Sequence, residues 1–236
     1  SSKGASLIAD VKIGDKWLTA DLGYGFNSKH ISAPEADIVQ IEIPGTSSII
    51  DLTESLSGDV EYKQRTITIK LESTHGKNTY YAQFSELPNT NQSHKLKIIF
   101  NKDSGYYWEG RISVTETESK FYGSVITISA IVDPYKYETQ SSLEPWLWDT
   151  FSFNDGIIRN YYNLTAPCSL TIVGRRKKVC PKFICSNAMN VSYLGNIYSL
   201  TSGETVVPDI FIGEGNHVLT FIGSGTVSVD YRGGTL

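Results

Sequence analysis

The sequence predicts an all-β fold with one or two short helices, and three observations carry that prediction. Aromatic residues are frequent (14 Tyr, 9 Phe, 4 Trp), and their rings suit a pleated surface. Gly occurs 20 times and Met once; Gly supplies turns, and no Ala/Leu-rich or Glu/Lys helical block is present. Apolar residues alternate with polar ones at period two in segment after segment, the pattern of a strand with one buried and one polar face.

Taken in order, Leu7-Ile8-Ala9-Asp10-Val11-Lys12-Ile13 reads as a strand, Gly14-Asp15 as a tight turn and Lys16-Trp17-Leu18 as the returning strand. Between positions 38 and 43, Val39, Ile41 and Ile43 alternate with Gln40 and Glu42 up to a stop at Pro44-Gly45, so one face is expected to be buried. Asp51-Leu52-Thr53-Glu54 has capping-box form and predicts a single helical turn, with Asp51 accepting from the third amide and Glu54 reaching back. Ile67, Ile69 and Leu71 alternate with Thr68 and Lys70. A short helix is expected at 79–87, where Tyr81, Phe84 and Leu87 form one stripe ended by Pro88. Strands follow at 95–100, at 106–114 after an Asp103-Ser104-Gly105 turn, and at 121–132 up to Asp133-Pro134.

The segment 138–142 is polar and free of aromatics, so we place a solvated linker there, between an N-terminal domain (1–137) and a C-terminal domain (143–236). Beyond it, short strands are expected at 156–162, 169–173, 182–185, 190–193, 209–212, 217–222 and 226–231. Their number and spacing predict a β-sandwich.

Little in the chain suggests chemistry. A net charge of −4 argues against a nucleic-acid binder, and no run of 18 apolar residues suggests a membrane span. No cationic-then-apolar leader opens the sequence, so no signal peptide is expected. Cys168, Cys180 and Cys185 are odd in number, and no nearby His completes four zinc ligands around the last two, so they read as free thiols. His30, His75, His94 and His217 stand in no metal-binding or catalytic spacing. Gly23-Tyr24-Gly25 lacks the third glycine of a nucleotide fingerprint and reads as a turn. Glu116 and Glu118 share a strand face with Lys120, a solvated charged face rather than a paired-carboxylate site. Tyr106-Tyr107-Trp108 and the pair Trp146, Trp148 admit sugar stacking, but alternation puts Tyr107 opposite its neighbours, as in a sheet packed on both sides. The basic run Arg175-Arg176-Lys177-Lys178 reads as a charged hairpin tip, with contact to a polyanion such as teichoic acid as the sharper reading. No catalytic residue, metal site or cofactor is expected, and the chain is read as a non-enzyme.

Several stretches together resemble the distal tail protein family of long-tailed bacteriophages. The strongest is Ile126-Thr127-Ile128-Ser129-Ala130-Ile131-Val132-Asp133-Pro134-Tyr135-Lys136-Tyr137, a long strand ending in D-P-Y-K-Y. Ile43-Pro44-Gly45, Ile50-Asp51-Leu52-Thr53-Glu54, Tyr62-Lys63-Gln64-Arg65-Thr66-Ile67, Lys97-Ile98-Ile99-Phe100 with Tyr106-Tyr107-Trp108-Glu109-Gly110-Arg111, and the terminal Tyr231-Arg232-Gly233-Gly234-Thr235-Leu236 add to it. The likeness covers most of residues 1–137 and scattered positions afterwards. One departure is Thr46-Ser47-Ser48, where family members often carry an Arg-Asp-Gly turn.

The resemblance implies a split-barrel-like N-terminal domain and a galectin-like β-sandwich behind it. It also implies a virion structural protein of a phage or prophage, located at the tail tip, made in the bacterial cytoplasm and assembled as a homohexameric ring. The implied partners are other copies of the chain, the major tail tube protein, a tail-tip protein and a receptor-binding protein, with no nucleic acid and no membrane. Gly45, Asp51, Leu52, Thr53, Asp133, Pro134, Tyr135, Lys136 and Tyr137 are the motif positions expected at or near the ring contacts. The galectin-like label does not imply a lectin, because no H-x-N-x-R string surrounds His217, and fold does not dictate function. A carbohydrate-binding module contacting host glycan is the alternative reading.

Limited proteolysis is expected to cut at 138–142 and leave two resistant fragments. A single resistant core spanning residue 140 overturns the two-domain organisation.

Overall fold

The computed structural model describes residues 8–45, 49–54, 58–73, 95–120 (backbone only for 115–120), 123–139 and 161–236. The chain divides into two compact units, Ser1–Lys136 and Tyr137–Leu236. The expected helix at 79–87 and the positions of His75, His94, Trp146 and Trp148 lie outside the described residues, as do the side chains of Glu116, Glu118 and Lys120. Among the described residues the structure is nearly all β, with a single 3₁₀ turn at Asn101–Asp103. No helix among them is long and apolar enough to cross a membrane.

In the first unit the strands are β1 (Val11–Ile13), β2 (Lys16–Trp17), β3 (Gly25–Ile31), β4 (Gln40–Glu42), β5 (Ile49–Asp51), β6 (Arg65–Ser73), β7 (Lys95–Phe100), β8 (Tyr106–Lys120) and β9 (Gly123–Val132). An antiparallel sheet runs in the order β2-β1-β7-β8-β9-β6-β3, while among the described residues β4 and β5 form a separate two-stranded sheet. The alternation in β6 is realised in full: Ile67, Ile69 and Leu71 are completely buried, and they stand opposite Ala130, Ile128 and Ile126 of β9, which are equally buried. Gly110 of β8 is dictated by close approach, because a Cβ there would lie 2.1 Å from the carbonyl oxygen of Ile131. The β1–β2 connection turns at Gly14, whose φ of 61° suits the first position of a type II′ hairpin.

Asp10 organises this end of the sheet. Its buried carboxylate accepts the amides of Val11 and Thr19 (2.7 and 2.8 Å) and of Ala20 (3.1 Å). Its own amide donates to Asn101 Oδ1 at 3.0 Å, and Asn101 Nδ2 donates in turn to Ile8 O. A carboxylate satisfied by backbone amides replaces the water it loses on burial.

β10 (Lys136–Glu138) crosses the boundary between the units. The second unit then contains β11 (Leu164–Gly174), β12 (Lys182–Cys185), β13 (Met189–Tyr193), β14 (Asn196–Leu200), β15 (Gly203–Val206), β16 (Gly215–Asp230) and β17 (Gly234–Thr235). Its sheet runs β14-β13-β16-β12-β15, with β11 also on β16. Phe183 and Phe221 meet edge to face at 5.9 Å at the heart of a core that includes Ile172, Val191, Leu219 and Val229.

Three expectations need correction here. The strands expected at 217–222 and 226–231 are one strand, β16. Gly223 and Gly225 do not end it; they adopt φ of 139° and 116°, where a Cβ would press on Met189 and Ser186. The stretch 209–212 forms an isolated bridge between Val179 and Ile212 rather than a strand, although Ile210 and Ile212 are fully buried. Glu138, expected to begin a solvated linker, is only 7% exposed and pairs with Arg175 at 3.2 Å.

Replacing Ile128 by Ala is expected to destabilise the chain by about 2–5 kcal/mol, because it leaves a cavity at the centre of the β6–β9 row. Thr68→Ala on β6 is expected to change stability by about 0.5 kcal/mol or less. Urea denaturation of both variants checks this, and equal losses overturn the assignment of the buried face.

Candidate functional site

β4 and β5 form a strap that leaves the body of the first unit. Its register sets Gln40 against Asp51, Ile41 against Ile50 and Glu42 against Ile49. Because side chains alternate across a strand, one face of this ribbon is Val39, Ile41, Ile43, Ile50 and Leu52, and the other carries Gln40, Glu42 and Asp51 together with the exposed Ile38 and Ile49. The apolar face is the one the sequence expected to be buried, and it is not. Ile41 is 52% exposed and Ile50 45%. An isolated two-stranded hairpin is marginal in water, and an open apolar face on one is unusual.

The motif residues hold the strap in shape. Gly45 follows Pro44 at its tip with φ of 86°, a conformation that favours glycine. Asp51 accepts the amide of Thr53 at 2.9 Å, and Thr53 Oγ1 accepts the amide of Val39 at 3.2 Å. The amide of Leu52 donates to Val39 O at 2.8 Å. Asp51 therefore bonds to the second amide after it, in an Asx turn, rather than to the third as the capping box required. Nearby, the Gly58 amide donates to Glu54 O at 2.8 Å. The hydrogen bonds from the Thr53 side chain and then its amide hold the Asp51 carboxyl below the usual aspartate range. Residues 46–48, where the sequence departs from the family pattern, lie outside the described residues.

The base of the strap is tied to the D-P-Y-K-Y corner. Ala36 and Tyr62 form a bridge that closes the base. Lys63 Nζ pairs there with Glu35 at 2.9 Å. The Tyr62 ring meets Tyr135 edge-on at 6.1 Å. Arg65, at the start of β6, is 8% exposed; its Nε donates to Ser32 O at 2.8 Å and its Nη1 to Pro134 O at 3.4 Å, and its guanidinium lies 4.8 Å over the Trp108 ring. Burial pushes its pKa below the usual arginine range. Asp133 donates its amide to Glu109 O and pairs with Lys95 at 3.6 Å. Lys136 pairs with Asp103 at 2.9 Å and lies 4.6 Å over the Tyr106 ring. The structure thus joins two motif groups that the sequence showed only as separate strings, and it adds Tyr62 and Arg65 as the links. Tyr137 falls in the second unit, where its hydroxyl accepts from Lys177 at 2.7 Å.

The other candidates take structural places. Tyr107 and Trp108 are buried on opposite faces of β8, so neither presents a stacking platform. In the basic run, Arg175 is paired with Glu138, Arg176 with Glu214 and Lys177 with Tyr137, which counts against a free polyanion site there. His217 Nδ1 lies 2.8 Å from Tyr193 Oη and its Nε2 lies 2.9 Å from Gly213 O, while His30 is exposed on β3. Cys168, Cys180 and Cys185 are unbridged, and burial raises their thiol pKa values. No group of His, Cys, Asp and Glu among the described residues is arranged to hold a metal.

Arg65→Met is expected to lower stability by about 2 kcal/mol, since it leaves two backbone carbonyls without their donor, and to speed hydrogen exchange at 33–37 and 61–63. Arg65→Lys is not expected to restore either property, because one ammonium cannot span both carbonyls and the Trp108 face. Unchanged denaturation and exchange in Arg65→Met overturn the role given to this residue.

The chain matches no protein-family model and no curated protein. Among solved structures it is similar to the crystal structure of the SPP1 Dit (gp 19.1) protein, described as a paradigm of hub adsorption apparatus in Gram-positive-infecting phages. The two align with a TM-score of 0.62 at 12% identity, over 95% of this chain and 99% of that one. At that identity the likeness is one of fold: an all-β chain built like this phage hub protein from end to end.

Proposed function

We propose that this chain is a structural hub of a bacteriophage or prophage tail tip, a ring joining the tail tube to the tail-tip and adsorption apparatus. The observation that carries the reading is the likeness of fold to SPP1 Dit across nearly the whole of both chains. The strap supports the assembly part of it. A strand pattern written for burial, whose apolar face is open in the single chain, is explained by a neighbour that covers it. The proposed role is structural rather than catalytic, with copies of itself, the tail tube protein and a tail-tip protein as partners, and a place in the virion. Contacts of the head-to-tail kind that close on themselves make rings, and six copies is the number expected from the family resemblance.

The full chain is expected to form six-fold species as concentration rises, read as molar mass by sedimentation or light scattering, and to bind a tail-tube protein. Ile41→Asp places a charge on the open face of the strap and is expected to leave the fold intact while weakening self-association at least about tenfold. A wild-type chain that stays monomeric at high concentration and binds no tail-tube protein overturns the hub reading.

A further inference from the structure

The strap is as charged as it is apolar. Residues 36–62 carry six carboxylates (Asp37, Glu42, Asp51, Glu54, Asp59 and Glu61) and no Lys, Arg or His. The whole chain has a net charge of −4, so removing the −6 of this segment leaves +2 for everything else. Charge is therefore separated along the chain, and the positive part has a focus in the same unit.

That focus is built from lysines far apart in sequence. Lys136 sits on Asp103 at 2.9 Å and over Tyr106 at 4.6 Å. Lys29 of β3 has its Nζ 4.0 Å over the Phe100 ring. Lys102 lies between Phe100 and Asp103 in the 3₁₀ turn, and its side chain is exposed. These groups feel one another. Burial lowers the Lys29 pKa from the ordinary lysine value; Asp103 opposes that shift, and Lys136 and Lys102 add to it. Lys136 thus pairs with Asp103, with Lys29 and Lys102 near enough to feel both. Among the described residues neither Lys29 nor Lys102 forms an ion pair of its own, and Asp103 is the one carboxylate that pairs with the patch. A cluster of like charges with an excess of +2 is repulsive when empty and favours an incoming acidic segment.

We propose that the acidic strap of one copy seats against the patch of Lys29, Lys102 and Lys136 on the next copy, making the contact between neighbours head-to-tail. This rests on the self-association proposed above and specifies which surface receives the strap. The apolar face supplies buried area, and the carboxylates choose where on the neighbour that face lands. Glu42 and Asp51 lie on the ribbon's other face, so in this arrangement they act on the patch through space rather than by contact, over the roughly 8 Å that charges reach at physiological salt. Donor and acceptor surfaces differ, so each copy uses both, and the contact can repeat around a closed ring.

A charge-swap series on the full chain tests this. The variants are Lys29→Glu with Lys102→Glu, Glu42→Lys with Glu54→Lys, and the chain carrying all four changes. All four positions are exposed, and thermal melting checks that each variant folds. Self-association is read as molar mass against concentration at low and at 1 M salt. Each pair of reversals is expected to weaken association at least about tenfold at low salt, with the difference fading at 1 M, and the four-change chain is expected to recover to within about threefold of wild type. If wild type assembles and neither pair shifts it, or the four-change chain fails to recover, the lysine seat is overturned while self-association stands. If the lysine reversals leave self-association unchanged but abolish binding of a tail-tube protein, the patch receives a different protein and the proposal is likewise overturned. A wild-type chain that never assembles overturns both readings.

Discussion

Arg65 is the residue on which the geometry of the first unit turns. A buried guanidinium is costly unless its donors are satisfied, and here backbone carbonyls from two separate segments satisfy it: Ser32 at the end of β3 and Pro134 in the corner after β9. The chain leaves the sheet for the strap just after Ser32 and returns to it at Arg65. The same interaction therefore fixes where the strap departs, where it comes back and where β9 turns. The ring of Trp108 beneath the guanidinium adds a face that ammonium chemistry would use less well. Ser32 and Thr66 exchange further hydrogen bonds beside it, so the strap stands on a rigid footing while its own length is thinly supported.

That contrast explains what the sequence showed well and what it showed poorly. Where both partners of a buried face belong to one chain, as in the row of Ile67, Ile69, Leu71, Ile126 and Ile128, alternation identified strand and face together. At 38–43 the same alternation identified the strand and its apolar face but carried no information on what covers that face. Periodicity reports amphipathicity, not the surface that an apolar face meets. Arg65 and Tyr62 stood inside a quoted stretch but were given no role for a related reason: a lone arginine at a strand start and a lone tyrosine before it have no pattern, and only the pairing of β3, β6 and β9 makes their positions meaningful.

Other differences trace to residue types with more than one physical use. Gly223 and Gly225 were read as a break because glycine ends strands, yet here it lets two backbones pass close together within a single long strand. Arg175, Arg176 and Lys177 looked like a solvated run, but Glu138, Glu214 and Tyr137 come to them from positions 37 to 40 residues away in sequence. β15 is short and mostly exposed, and β14 turns only Tyr198 and Leu200 inward, so neither had enough alternation to be marked as a strand. Lys136 was a motif position, but Lys29 and Lys102 beside it were given no role for the same reason as Arg65: sequence distance hid a spatial cluster.

The uneven distribution of charge in the strap has a consequence for the symmetry of any assembly. Two straps laid against each other across a two-fold axis would bury isoleucines, but they would also set side by side two segments of net charge −6 with no cation in either. The same charge opposes contact between the uncovered apolar ribbons of free chains, as charged gatekeepers beside hydrophobic strands do. Composition thus gives the molecule a polarity. The symmetric pairing that apolar area alone would reward is penalised, and contacts with a distinct front and back are left as the productive ones.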